Sequence, residues 1–124
     1  MPVFADGRIP VSVVADQAAL AASLTARPGA ALLTGQPVPS LPPGAVALGE
    51  LAAALSVHPA ACACCAGRPP MAQALDRLFL ARVKGQAKWF DRVVALLPDE
   101  AARQALASAL RDDAVTASRY RPEA

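Results

Sequence analysis

The segment IPVSVVA (9–15) is β-branched and nearly alternating, the pattern of a short strand. DQAALAASLTA (16–26) follows, with apolar positions at Ala19, Leu20 and Leu24 and with Asp16 placed to cap a helix. Arg27-Pro28-Gly29 ends that helix, and AALLTG (30–35) is a continuous apolar run of the kind that fills the buried strands of parallel sheets. QPVPSLPPG (36–44) carries four of the 12 prolines and predicts an extended surface loop. AVALGELAAALSV (45–57) fits either a strand over Ala45–Leu48 followed by helical turns or one helix throughout.

PMAQALDRLFLARVKG (70–85) predicts a helix with Met71, Leu75, Leu78, Phe79 and Val83 on one apolar face and Gly85 at its C-terminal end. Arg77, Arg82 and Lys84 lie off that stripe and read, with Lys88, as a solvated face. WFDRVVALL (89–97) predicts a central strand with Trp89 and Phe90 plugging the core at its mouth. Pro98-Asp99-Glu100 opens another helix, with acidic residues suited to the helix dipole and with Leu106 and Leu110 as its buried stripe. DDAVTASRYRPEA (112–124) reads as one short helix and a frayed tail over 122–124.

The order β-α-β-(β/α)-α-β-α predicts a small three-layer α/β domain with a mostly parallel sheet of three or four strands, spanning 1–124 as one unit. Hydrophobic residues make up 55% of the 124, enough for a core, but only 4% are aromatic and alanine is the commonest apolar residue, so the elements must approach closely. The net charge is +2 and no run of like charges occurs, which argues against a nucleic-acid partner. Asp6, Pro10 and Asp16 interrupt the N-terminal region where a secretory leader would be apolar, and no apolar run reaches membrane-spanning length. A cytoplasmic protein with no membrane partner is the expectation.

Chemistry is concentrated in one place. HPAACACCAGRPP (58–70) holds the single histidine, His58, and all three cysteines, Cys62, Cys64 and Cys65. Their spacing is too tight for a structural disulfide framework. Thiolates are soft, strong ligands for zinc and copper(I), and C-x-C-C brings several sulfurs within reach of one ion. The competing reading is that these cysteines are small buried hydrophobes. His58 is close enough in sequence to serve as a further ligand; a histidine before proline at a helix end is also a common cap or surface residue.

CACC (62–65), the helix PPMAQALDRLFLARVKG, the strand FDRVVALLP and the helix that follows resemble the GTPase domain of the CobW-type metallochaperones, and GRIPVSVVADQAALAASLTARPGAALLTG is similar to that domain's first strand, first helix and second strand. The resemblance implies part of a P-loop GTPase fold, with Cys62, Cys64 and Cys65 binding a transition metal, usually zinc, for delivery to a client protein. The family's phosphate loop, G-x-x-x-x-G-K-[ST], would fall at VADQAAL (14–20), which has no glycine, lysine or hydroxyl at the required places. A degenerate, non-enzymatic domain that holds Zn²⁺ or another thiophilic ion and no nucleotide is therefore expected. Three thiolates leave a fourth position for His58, water, a client or a second chain.

Two other readings stay open. One is a thiol redox protein, with Arg68 and the helix start at Pro69-Pro70 lowering a thiol pKa, although adjacent Cys64-Cys65 would form only a strained bridge. The other is an α/β interaction module whose sheet edges pair, and a homodimer is compatible with all three readings. Scattered Ser, His and Asp residues offer no acid-base or nucleophilic constellation.

Overall fold

The computed structural model describes residues 7–36, 38–51 and 69–123. Five strands form one sheet: β1 (Ile9–Val14), β2 (Ala30–Thr34), β3 (Ala45–Glu50), β4 (Val93–Leu96) and β5 (Tyr120–Pro122). Their spatial order is β3-β2-β4-β1-β5, and every neighbouring pair is parallel. Four helices are described: α1 (Gln17–Ala26), α2 (Pro70–Val83), α3 (Glu100–Asp112) and α4 (Ala114–Arg119).

Both faces of the sheet are covered, which makes three layers. On one face Leu20 and Leu24 of α1 pack on Ala30, Leu32, Val94 and Leu96. On the other, Met71, Leu75 and Leu78 of α2 and Leu106 and Ala109 of α3 pack on Ile9, Val11, Ala31, Leu33, Val93 and Ala95. β2 and β4 are buried at every residue, as strands covered on both sides must be, which is why AALLT and VVAL read as unbroken apolar runs rather than alternating ones.

Small residues set the spacing, as the alanine-rich composition implies. Ala31 pairs with both Ala47 and Val93, and Leu33 pairs with both Gly49 and Ala95. A Cβ at Gly49 would stand 2.7 Å from Leu78 Cδ1, so glycine is what admits α2 to the sheet there. Gly44, at φ +93°, turns the chain into β3, and its carbonyl accepts from Gly29 N at 2.8 Å.

The expected strands IPVSVVA, AALLTG and FDRVVALL lie side by side and parallel, and the sheet is larger than the three or four strands predicted. One reason is that Ala45–Glu50 is a strand, which settles the described part of the 45–57 ambiguity. The other is the C-terminal segment. Where a frayed tail over 122–124 was expected, Tyr120–Pro122 pair with Ile9–Val11, and Glu123 N donates to Val11 O at 2.9 Å. Tyr120 anchors this strand, fully buried, with its hydroxyl donating to Leu75 O at 2.8 Å.

Three further expectations are corrected. The strand read over 89–97 begins at Val93, because Phe90 alone plugs the core while Trp89 is 67% exposed. Val83, placed on the buried face of α2, is exposed at that helix's last residue. Arg82 is not a solvated side chain: its Nη1 donates to Phe90 O at 2.6 Å and its guanidinium stacks on Trp89.

Candidate functional site

In an open parallel sheet, ligands bind outside the carboxyl ends of the strands, above all where successive connections leave toward opposite faces. Here that point lies between β1, which feeds α1 on one face, and β4, which feeds α3 on the other. Leu97 N donates to Val14 O at 3.0 Å and closes the two strand ends together.

The β1-α1 connection in this crevice is occupied by its own cap. Asp16, in extended backbone, accepts from Ala19 N through Oδ1 at 2.8 Å, as the sequence predicts, so a carboxylate already fills the first turn of α1. Across the crevice Asp99 and Glu100 open α3. Arg103 pairs with Glu100 at 2.7 Å, a hydrogen bond that holds the Glu100 carboxyl below its ordinary pKa, and its Nη1 donates to Leu97 O at 2.8 Å. Asp16 thus stands at the start of α1 and Asp99 and Glu100 at the start of α3, and no glycine-rich turn joins β1 to α1.

The sequence-predicted metal ligands His58, Cys62, Cys64 and Cys65 lie outside the described residues. What is described is where their segment is tethered. It leaves the carboxyl end of β3 at Leu51, which approaches Gly35 after β2, and rejoins the fold at Pro69, ahead of α2. α2 opens with Pro70 in its first turn and, among the described residues, without a side-chain cap. Among the described residues, no group of three or more His, Cys, Asp or Glu side chains could hold a metal ion.

A second feature of the same edge was not anticipated. A cleft of about 220 Å³ opens between α1, the carboxyl ends of β2 and β4, and the proline-rich loop. Leu20, Leu32, Thr34 and Leu96 are its buried lining, and Gln17, Gln36 and Ser40 are exposed around it. The only signal in the sequence is Thr34, a lone hydroxyl ending the apolar run AALLT.

One buried arginine, Arg92, and one partly buried, Arg82, were also missed. Arg92 Nη2 donates to Ser23 O at 2.7 Å and to Arg27 O at 2.6 Å, tying β4 to the C-terminal end of α1. Desolvation by burial, then repulsion from Arg27, lowers its pKa, while burial does the same to Arg82.

No family model, curated protein or solved structure matches the chain. The fold therefore defines the class: a small α/β domain with an all-parallel five-stranded sheet, consistent with P-loop-like α/β folds. No described helix is long and apolar enough to cross a membrane.

Proposed function

We propose that this chain is a non-catalytic thiolate metal-binding protein, a cytoplasmic CobW-like domain without nucleotide binding, which holds Zn²⁺ or another thiophilic ion for transfer to a client. The observation that carries the reading is the donor set: three thiols and one imidazole, His58, Cys62, Cys64 and Cys65, within eight positions of a chain that contains no other cysteine or histidine. The segment that carries this set connects the carboxyl end of β3 to the start of α2 in sequence. The Asp16 cap and the neighbouring carboxylates support the loss of nucleotide binding. When bound, the ion would be held by Cys62, Cys64 and Cys65, with His58 or an exchanging ligand completing four-coordination.

Protein purified without added metal decides the matter by elemental analysis and a free-thiol count. The reading expects stoichiometric zinc uptake that releases protons and weakens as pH falls, a severe loss of affinity in Cys64→Ser, and no heat on titration with Mg²⁺-GTP. Metal-free protein that does not take up zinc, in which Cys62 and Cys64 cycle to a disulfide at a cytosolic potential, would replace it with the redox reading.

The interaction-module reading is favoured by one observation. Among the described residues β3 is the outermost strand on one side, with no proline or lysine over Ala47–Glu50, whereas the opposite edge is the three-residue β5, blunted by Arg121 and Pro122. A homodimer would pair β3 with its copy, and sedimentation at rising concentration tests it.

A further inference from the structure

The cleft beside α1 has the composition of a small-molecule site, and no cysteine or histidine is among its described lining residues. Its base is apolar and buried through Leu20, Leu32 and Leu96. Set among them is Thr34, 1% exposed, whose Oγ1 accepts from Gln36 N at 3.2 Å. The Thr34 hydroxyl proton has no acceptor among the described residues. A buried hydroxyl with an unused donor is costly unless something supplies an acceptor.

The remaining polar groups are two carboxamides, Gln17 and Gln36, and the Ser40 hydroxyl, each able both to donate and to accept. None of the lining residues is ionisable. A charged ligand would be desolvated against three leucines without a counter-ion, and an anion would also meet the Asp16 carboxylate that precedes Gln17. The volume, about 220 Å³, is below that of ordinary drug-sized pockets and suits a single ring with a substituent rather than a nucleotide.

We propose that this cleft binds a small, uncharged, planar molecule bearing a carboxamide- or lactam-type edge, whose carbonyl accepts from the Thr34 hydroxyl while Gln17, Gln36 and Ser40 read its remaining polar atoms. The apolar residues Leu20, Leu32 and Leu96 take the ring. Each group this recognition uses lies among the described lining residues, and none of them needs metal.

Nicotinamide, and nicotinate as its charged near-isostere, test the proposal by amide chemical-shift titration of the metal-free, reduced full chain. Nicotinamide is expected to shift the Thr34, Gln36 and Ser40 resonances with saturable millimolar affinity, and nicotinate to bind about tenfold more weakly or not at all. Thr34→Ser should keep the affinity and Thr34→Val should lose about tenfold, the worth of one hydrogen bond to a buried group. If Thr34→Val does not fold, Gln36→Ala and Ser40→Ala, on the exposed rim, take its place and should each weaken nicotinamide severalfold. No saturable shift with nicotinamide, equal binding of nicotinate, or variants that bind like the wild-type chain would overturn the proposal. Because zinc is absent throughout, failure here leaves the metal reading standing, and failure of the metal reading leaves this one.

Discussion

The guanidinium carbon of Arg82 lies 3.8 Å from the centroid of the Trp89 ring, so an exposed tryptophan roofs a partly buried cation. The same guanidinium donates to Phe90 O and stands 5.3 and 5.5 Å from the Phe90 and Phe79 rings. Trp89 thus works from outside the core, shielding a charge that fixes the turn between α2 and β4.

That arrangement predicts a measurable coupling. Trp89 is the chain's single tryptophan, so its fluorescence reports the site directly: red-shifted, quenched freely by acrylamide, and altered in Arg82→Met. A double-mutant cycle of Trp89→Ala with Arg82→Met should give a coupling of about 0.5–1 kcal/mol, the range for a cation-π pair near the surface. A coupling near zero in urea unfolding would mean that the stack does not contribute.

Gly49 and Leu78 predict compensation. The Cβ of Gly49→Ala would stand 2.7 and 2.8 Å from Leu78 Cδ1 and Cγ, and Leu78 is buried. Gly49→Ala should cost about 1–3 kcal/mol as overpacking and Leu78→Ala about 2–5 kcal/mol as a cavity. Placed together, the added methyl occupies part of the space that the leucine vacates, so the double variant should be clearly more stable than the sum of the two losses. Strict additivity by urea melts would show that β3 and α2 do not meet as described.

The parts of this fold that were legible in the sequence are those where one physical requirement dominates. Unbroken apolar runs mark β2 and β4 because both of their faces are covered, and Asp16 marks the start of α1 because its carboxylate has one local partner, Ala19 N. Elements that depend on distant partners were not legible. Tyr120 makes an edge strand only because Leu75 O, forty-five residues earlier, accepts its hydroxyl, and Arg92 is buried only because the end of α1 offers it carbonyls. Trp89 looked like a core residue by its size, yet the neighbour that decides its place is Arg82, whose charge the periodicity treated as solvated. The cleft was invisible for the same reason: Thr34, Gln36 and Gln17 converge only after β2 and α1 have packed. The thiol cluster was read from its spacing alone, and its residues lie outside the described ones.

Arg92 predicts a local rather than a global weakness. One guanidinium nitrogen serves two carbonyls, Ser23 O and Arg27 O, and Nη1 reaches Ser23 Oγ at 3.3 Å, a fork that a lysine cannot reproduce. Arg92→Lys should lower stability by about 1–3 kcal/mol. Amide exchange should accelerate first in the last turn of α1, around Ser23 to Arg27, before β4 is affected. Uniform acceleration across the sheet would count against a capping role.

Tyr120 predicts an alkaline limit on stability. Burial, the dominant cause, raises the pKa of its phenol in the folded chain, with Arg82 and Arg119 partly opposing the shift. The neutral phenol is therefore favoured by folding. Its contribution is fully present below the unfolded-state pKa of about 10 and is lost as pH rises above it, because the unfolded chain then releases the proton and the folded one does not. Tyr120 is the only tyrosine, so phenolate absorbance follows this single group without interference from another. Phenolate should appear together with the loss of helical circular dichroism rather than ahead of it. Tyr120→Phe should be less stable at neutral pH, lacking the hydrogen bond to Leu75 O, yet its melting temperature should fall less steeply above pH ~10. Free titration of the phenol near its ordinary value in a chain that stays folded would show that β5 does not seal Tyr120 beneath α2.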